Sequence, residues 1–195
     1  PYGYSKQSNS VTEMIEESKD FVSKLFNNID NEIIFSTSAT QIALNVSNSL
    51  QFKKDDNIIL SNFSHESCVS SFERKDVNVK WWNINYDKTI NYDDLLSMID
   101  QNTKFISIPH VSNVLGNIID IKYLIKKIRS IKNDIQIYVD GVAYLAHGII
   151  DVSDWDVDYY VVSFYKFFGL RISALYIKKD LLKKIKNQNH FFLDN

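Results

Sequence analysis

The sequence predicts an α/β protein, a three-layer α/β/α domain on a mostly parallel seven-stranded sheet with the last strand antiparallel. Three observations carry that prediction. Seven short apolar runs, each bounded by polar or turn residues, have the length of buried strands. Helical periodicity falls between many of them, and strands alternating with helices imply right-handed crossovers and a sheet covered on both faces. The link from 163 to 172 is too short to hold a crossover helix, so the final strand reverses direction.

In chain order, residues 10–28 open on the capping box Ser10-Val11-Thr12-Glu13 and place Val11, Met14, Ile15, Val22, Leu25 and Phe26 on one helical face. The first strand is EIIFS at 32–36, followed by STSAT and an apolar helix from about Ala39. NIILS at 57–61 and VNVKWW at 77–82 are the next two strands, and KFISI at 104–108 is the fourth. A helix over 120–132 puts Ile121, Leu124, Ile125, Ile128 and Ile131 on one stripe beneath an Asp120 cap. IQIYV at 135–139, DYYVVS at 158–163 and ISALYI at 172–177 complete the sheet, and KDLLKKIKNQNHFFLDN reads as a further helix.

With 195 residues, 45% of them hydrophobic, the chain can bury one full core, and its length argues against two independent ones. A net charge of −2 and lysines scattered along helices give no electrostatic case for nucleic acid. The single cysteine, Cys68, excludes an internal disulfide framework and fits a reducing compartment. No apolar stretch is long enough to cross a bilayer, so the expectation is a soluble protein of the cytoplasm or an organelle interior, without membrane or nucleic-acid partners. The five glycines cannot form a G-x-G-x-x-G turn or a P-loop, and no G-x-S-x-G elbow occurs. HESC at 65–68 has too few companions to hold zinc.

In open α/β sheets, ligands gather beyond the carboxyl ends of the strands. Read there, the strand exits offer Ser38, Ala39 and Thr40 at a helix start, then His65, Asn113, Asp140 and, after the sixth strand, Lys166. A helix N-terminus with hydroxyls suits a phosphate. Each side chain also has a plain structural alternative. Ser38 or Thr40 can be an ordinary N-cap, His65 a cap, and Asn113 a turn former. Asp140-Gly141 is a common turn pair, and Lys166 can lay its stem on aromatics. Together, however, the set matches one ligand. It offers a phosphate cup, a contact for an aromatic ring, a carboxylate for a ring nitrogen and an amine for an aldehyde. That ligand is pyridoxal phosphate.

On these residues the chain resembles the large domain of class V pyridoxal-phosphate enzymes, the aminotransferase-like family that includes cysteine desulfurases. EIIFSTSATQIALNVSNSL resembles the family's phosphate-binding helix start, NIILSNFSHESCVSSF its histidine loop, and TKFISIPHVSNVLGNIIDI its asparagine segment. IYVDGVAYLAHGIIDVSDWDVDYYVVSFYKFFG resembles the region that runs from the ring-nitrogen aspartate to the reactive lysine. The resemblance implies that Lys166 forms the internal Schiff base, with Asp140 on the pyridinium nitrogen and His65 stacked on the ring. It implies that Asn113 lies near the ring hydroxyl, and that Ala39, Thr40 and Ser163, with Ser38 and Tyr165 beside them, hold the phosphate. Lys166 and His65 are then the catalytic pair. The aromatic neighbours Phe164, Tyr165, Phe167 and Phe168 are expected to wall Lys166 off from water and lower its pKa.

The resemblance further implies a desulfurase-like lyase or transferase acting on an amino acid, and a homodimer. Other class V chemistry, an aminotransferase or epimerase, or a domain that keeps the fold without turnover, are the competing readings. Residues 1–179 would be the cofactor-binding domain, and 180–195 the start of a helix leading to a carboxy-terminal domain absent from this chain. The chain departs from the family pattern in four places, five residues in all. Tyr165 stands where many members have histidine, Ala143 where they have glutamine, Ser38 where glycine is usual, and Leu170-Arg171 where proline often follows Gly169. Cys68 lies in the histidine loop rather than a desulfurase cysteine loop and reads as a small buried thiol.

Overall fold

Every one of the seven apolar runs forms a strand in the computed structural model, which describes residues 6–28 and 30–184. They are β1 (Glu32–Ser36), β2 (Asn57–Ser61), β3 (Asn78–Trp82), β4 (Thr103–Pro109), β5 (Gln136–Asp140), β6 (Tyr159–Ser163) and β7 (Ser173–Ile177). The sheet order is β1-β7-β6-β5-β4-β2-β3. Only β7 runs against the rest, pairing antiparallel with both β1 and β6. The chain between β6 and β7 holds a single 3-10 turn, Phe164–Phe167, closed by Phe168 in the left-handed region at φ 58°. A parallel return would need a crossover that this segment cannot supply.

Seven helices flank the sheet among the described residues: α1 (Lys6–Leu25), α2 (Ala39–Ser49), α3 (Glu66–Glu73), α4 (Tyr92–Ser97), α5 (Ile121–Ile131), α6 (Val152–Trp155) and α7 (Lys179–Leu182). Because side chains alternate along a strand, each central strand feeds two cores. Ile59, Ile106, Ile108, Ile137, Val139, Tyr160 and Val162 pack with α5, α4 and the end of α1. Ile58, Leu60, Phe105, Tyr138, Tyr159 and Val161 pack with α2 and α3. Such double burial explains why the strands read as continuous apolar runs rather than alternating ones.

Two helical expectations need correction. The predicted capping box lies inside α1, which has already begun by Lys6. Of the face expected to be buried, Val22 and Phe26 are in the core and Leu25 packs against it. Val11, Met14 and Ile15 are exposed. Periodicity defines an apolar face but not what covers it. In α5 the Asp120 carboxylate accepts from Tyr123 N at 3.0 Å as expected, and Ile121, Leu124, Ile125 and Ile128 are buried. Ile131, the last helical residue, lies beyond the packed stripe and is exposed. The carboxy-terminal helix forms over Lys179–Leu182, and its expected continuation through 185–195 lies outside the described residues.

Candidate active site

The parallel strands all end at one edge of the sheet, and β7 begins there. That edge carries a cleft of about 400 Å³. Lining it are Ser38, Ala39 and Thr40 beyond β1, His65 beyond β2, Asn113 beyond β4, Asp140 at the end of β5, and Ser163, Tyr165 and Lys166 at and beyond the end of β6. The structure thus brings together all nine side chains singled out from the sequence.

Local chemistry holds each in place. Ser38 takes an extended backbone and caps α2, its Oγ accepting from Gln41 N at 3.1 Å while its carbonyl accepts from Ile42 N. The N–H groups of Ala39 and Thr40, in the first helical turn, have no intrahelical partner and carry the positive end of the helix dipole. His65 caps α3 through Nδ1, which accepts from Ser67 N at 3.2 Å and lies 2.8 Å from Ser67 Oγ. The ring is thereby oriented, and its other nitrogen has no hydrogen bond among the described residues. Asn113 rides on a turn whose Ser112 hydroxyl donates to Phe63 O at 3.0 Å and accepts from Leu115 N at 3.3 Å.

Asp140 forms the floor, with only 8% of its surface exposed. One carboxylate oxygen accepts from Val142 N at 3.0 Å, and the other accepts from the Cys68 thiol at 3.3 Å. Burial pushes the Asp140 pKa up. The Val142 N–H, the Cys68 thiol and the electrostatic influence of nearby His65 and Lys166 oppose that rise without cancelling it. Burial, then the neighbouring carboxylate, push the Cys68 thiol well up, which makes it a buried donor rather than a nucleophile. Gly141 follows Asp140 because nothing larger fits: a Cβ there would meet the Tyr160 ring at 2.3 Å. Tyr160 in turn bonds His110 Nδ1 at 2.8 Å, and the His110 ring stacks on Tyr144 at 3.5 Å between centroids. Burial pulls the His110 pKa down to about 3, so this histidine is a neutral prop behind the site.

The expected aromatic enclosure of Lys166 is not observed. Lys166 is exposed, as are Tyr165, Phe167 and Phe168, the last of them fully. On a 3-10 turn successive side chains radiate in different directions, so aromatic neighbours in sequence do not become a wall in space. The ammonium lies 5.6 Å from the centroid of the Tyr165 ring and, among the described residues, has no hydrogen bond or ion pair. Ser163 is buried, its hydroxyl 2.7 Å from that of Ser173 on β7.

Several of the structural alternatives hold alongside the shared cleft. Ser38 and His65 are helix caps, and Asp140 does close a short turn onto Val142. Those local bonds are what aim the groups. Two features were missed. The bond from Cys68 on α3 to Asp140 at the end of β5 joins residues far apart in the chain and leaves no mark in sequence. Arg171 also lines the cleft. Its signal was available, because a reversed last strand must begin at the same edge where the others end.

A mostly parallel sheet with a polar cleft at its carboxyl edge defines an α/β protein with a candidate ligand site at its strand ends. The chain belongs to the aminotransferase class-V family, whose model matches residues 3–190. It is 31% identical over 194 residues to the aminotransferase-like protein FGM3 of Gibberella zeae, covering 96% of this chain and 48% of that protein. It is 33% identical over 187 residues to a cysteine desulfurase of Wigglesworthia glossinidia brevipalpis, covering 91% of this chain and 45% of the relative. The fold matches the crystal structure of the cysteine desulfurase CsdA from Escherichia coli with a TM-score of 0.82 at 22% identity, over 97% of this chain and 49% of the other. The chain spans about half the length of the curated relatives it matches.

Proposed function

We propose that this chain is the cofactor-binding domain of a pyridoxal-phosphate enzyme that acts on an amino acid, with desulfurase-like lyase or transferase chemistry. The observation that supports it most is the meeting of Asp140 and Lys166 in one cleft with a capped helix N-terminus. The donor set fits the group. Asp140 is a buried carboxylate whose own partners are a thiol and a single backbone N–H, so it retains acceptor capacity for a cationic ring N–H. Ala39 and Thr40 offer N–H donors to a phosphate, and Ser38 and Thr40 bring hydroxyls. His65 lies across the cleft with its ring oriented by Ser67, where it can cover a planar ligand.

When bound, pyridoxal phosphate supplies an aldehyde and an electron-accepting ring for carbanion chemistry at an amino acid's α-carbon. Lys166 would present the amine to that aldehyde and carry protons at Nζ. Asp140 would keep the ring nitrogen protonated, and Asn113 would contact the ring near its hydroxyl. Closure of the site against water is not a property of the 164–168 turn itself, which leaves Lys166 open. A second copy of the chain at this edge, as in a homodimer, would supply it, and the stretch from 180 onward would lead to a further domain.

The wild-type protein, mixed with pyridoxal phosphate, is expected to develop the visible absorption of lysine-bound cofactor, and Lys166→Ala is expected to lack it. A wild type that stays colourless and takes up no cofactor overturns the reading in favour of a domain without turnover. Sulfide release from cysteine, set against amino transfer to an oxo acid, then distinguishes the reactions.

A further inference from the structure

We propose that Arg171 is a phosphate-binding residue of this cleft, supplying the cation that the phosphate end otherwise lacks; the inference rests on the cofactor reading above.

The sheet order lays the cleft out as a line. From one side to the other come the residues after β1, the start of β7, the end of β6, the end of β5, then the exits of β4 and β2. Asp140 belongs to β5, and Arg171 precedes β7, two strands away, or about 10 Å. Arg171 is therefore separated from the carboxylate by roughly the length of a phosphorylated pyridine ring, on the side where α2 begins. Ser173, two residues on, pairs directly with Ser36 on β1 and with Ser163 on β6. The helix N-terminus at Ser38 follows Ser36 by two residues, so Arg171 stands beside it.

The segment that carries Arg171 is pinned. Phe164 N donates to Ile172 O at 3.0 Å, Gly169 N to Phe164 O at 2.8 Å, and Ile172 N to Leu170 O at 2.8 Å. A cation is thus held at the cleft on a closed loop, yet its guanidinium makes no hydrogen bond or ion pair among the described residues. Arg129, by contrast, donates to two aspartates and two further backbone carbonyls. The surroundings of Arg171 in the cleft are donors, the hydroxyls of Thr37, Ser38 and Thr40 and the free N–H groups of α2. So many donors suit the three oxygens of a phosphate better than the two of a carboxylate, and a guanidinium fork matches phosphate geometry.

The test uses the full-length protein and compares pyridoxal phosphate with pyridoxal, which lacks the phosphate. Arg171→Gln is expected to weaken pyridoxal phosphate by about tenfold and to leave pyridoxal within about twofold. Arg171→Lys should recover part of the loss. Inorganic phosphate, as a separate probe, should raise the melting temperature of the wild type more than that of Arg171→Gln. The inference falls if Arg171→Gln binds pyridoxal phosphate like wild type, if both ligands weaken equally, or if only the response to amino acid is lost. A wild type that binds no pyridoxal phosphate but is stabilised by inorganic phosphate through Arg171 sinks the cofactor reading alone. Indifference to both probes sinks the two together.

Discussion

The two edges of the sheet treat charge in opposite ways. At the amino edge of β5 and β6, Arg129 donates to Asp158 at 2.7 Å and to Asp156 at 3.1 Å. Lys178 reaches the same two carboxylates at 3.0 and 2.5 Å, and Asp158 also accepts from Ile137 N at 2.8 Å. All four of these charged groups are paired. At the carboxyl edge, Lys166 and Arg171 have no hydrogen bond or ion pair among the described residues, and Asp140 holds only a thiol and one N–H. The first set ties elements of the fold together, whereas the second leaves charge available at the cleft where the proposed cofactor would sit.

That contrast can be broken by substitution. Asp158→Asn should have the largest effect on stability, about 3 kcal/mol, because it strips a buried carboxylate from Arg129 and Lys178 together. Denaturant melts would read the loss. Lys166→Ala, at the other edge, should stay within about 0.5 kcal/mol of wild type. If Lys166→Ala proved the more destabilising, the division between a structural and a functional edge would fail.

Gly141→Ala comes next. Its Cβ would press into the Tyr160 ring, at a cost of about 2 kcal/mol for the overpacked contact, and would displace the Asp140 turn. Thermal unfolding should show the destabilisation, and cofactor titration a weakened site. An unchanged melting point would mean that Tyr160 moves aside freely.

A smaller effect concerns pH. His110 has a folded pKa of about 3 against an ordinary value of 6.5. Between those values the unfolded chain binds the proton and the folded chain does not, so stability declines as pH falls below about 6.5. The slope approaches about 1.4 kcal/mol per pH unit well below 6.5, and above 6.5 this group contributes almost no dependence. Chemical denaturation at several pH values should show that slope, and His110→Gln should flatten it. A variant with the same pH profile as wild type would remove His110 from the account.

Much of this was legible in the chain. Strand positions came out within one residue at each end, because double burial makes an apolar run that stops where the sheet stops. The reversal of β7 followed from link length alone. The nine residues share a cleft because strand ends in such sheets share an edge; order and direction were enough for seven of them, while Ser163 and Tyr165 came from the family resemblance. What escaped was tertiary. The exposure of Lys166 depends on how a 3-10 turn fans its side chains, and that of Val11 and Met14 on what covers α1. The thiol beneath Asp140 comes from a helix 72 residues earlier in the chain.

We propose that Lys166 is the residue that takes the cofactor, in the cleft whose floor is the buried Asp140 carboxylate. Borohydride reduction of the protein loaded with pyridoxal phosphate, followed by peptide mass mapping, tests it most directly. The account predicts one reduced adduct, on Lys166, lost in Lys166→Ala and diminished in Asp140→Asn. An adduct on another lysine, or none at all, would contradict it.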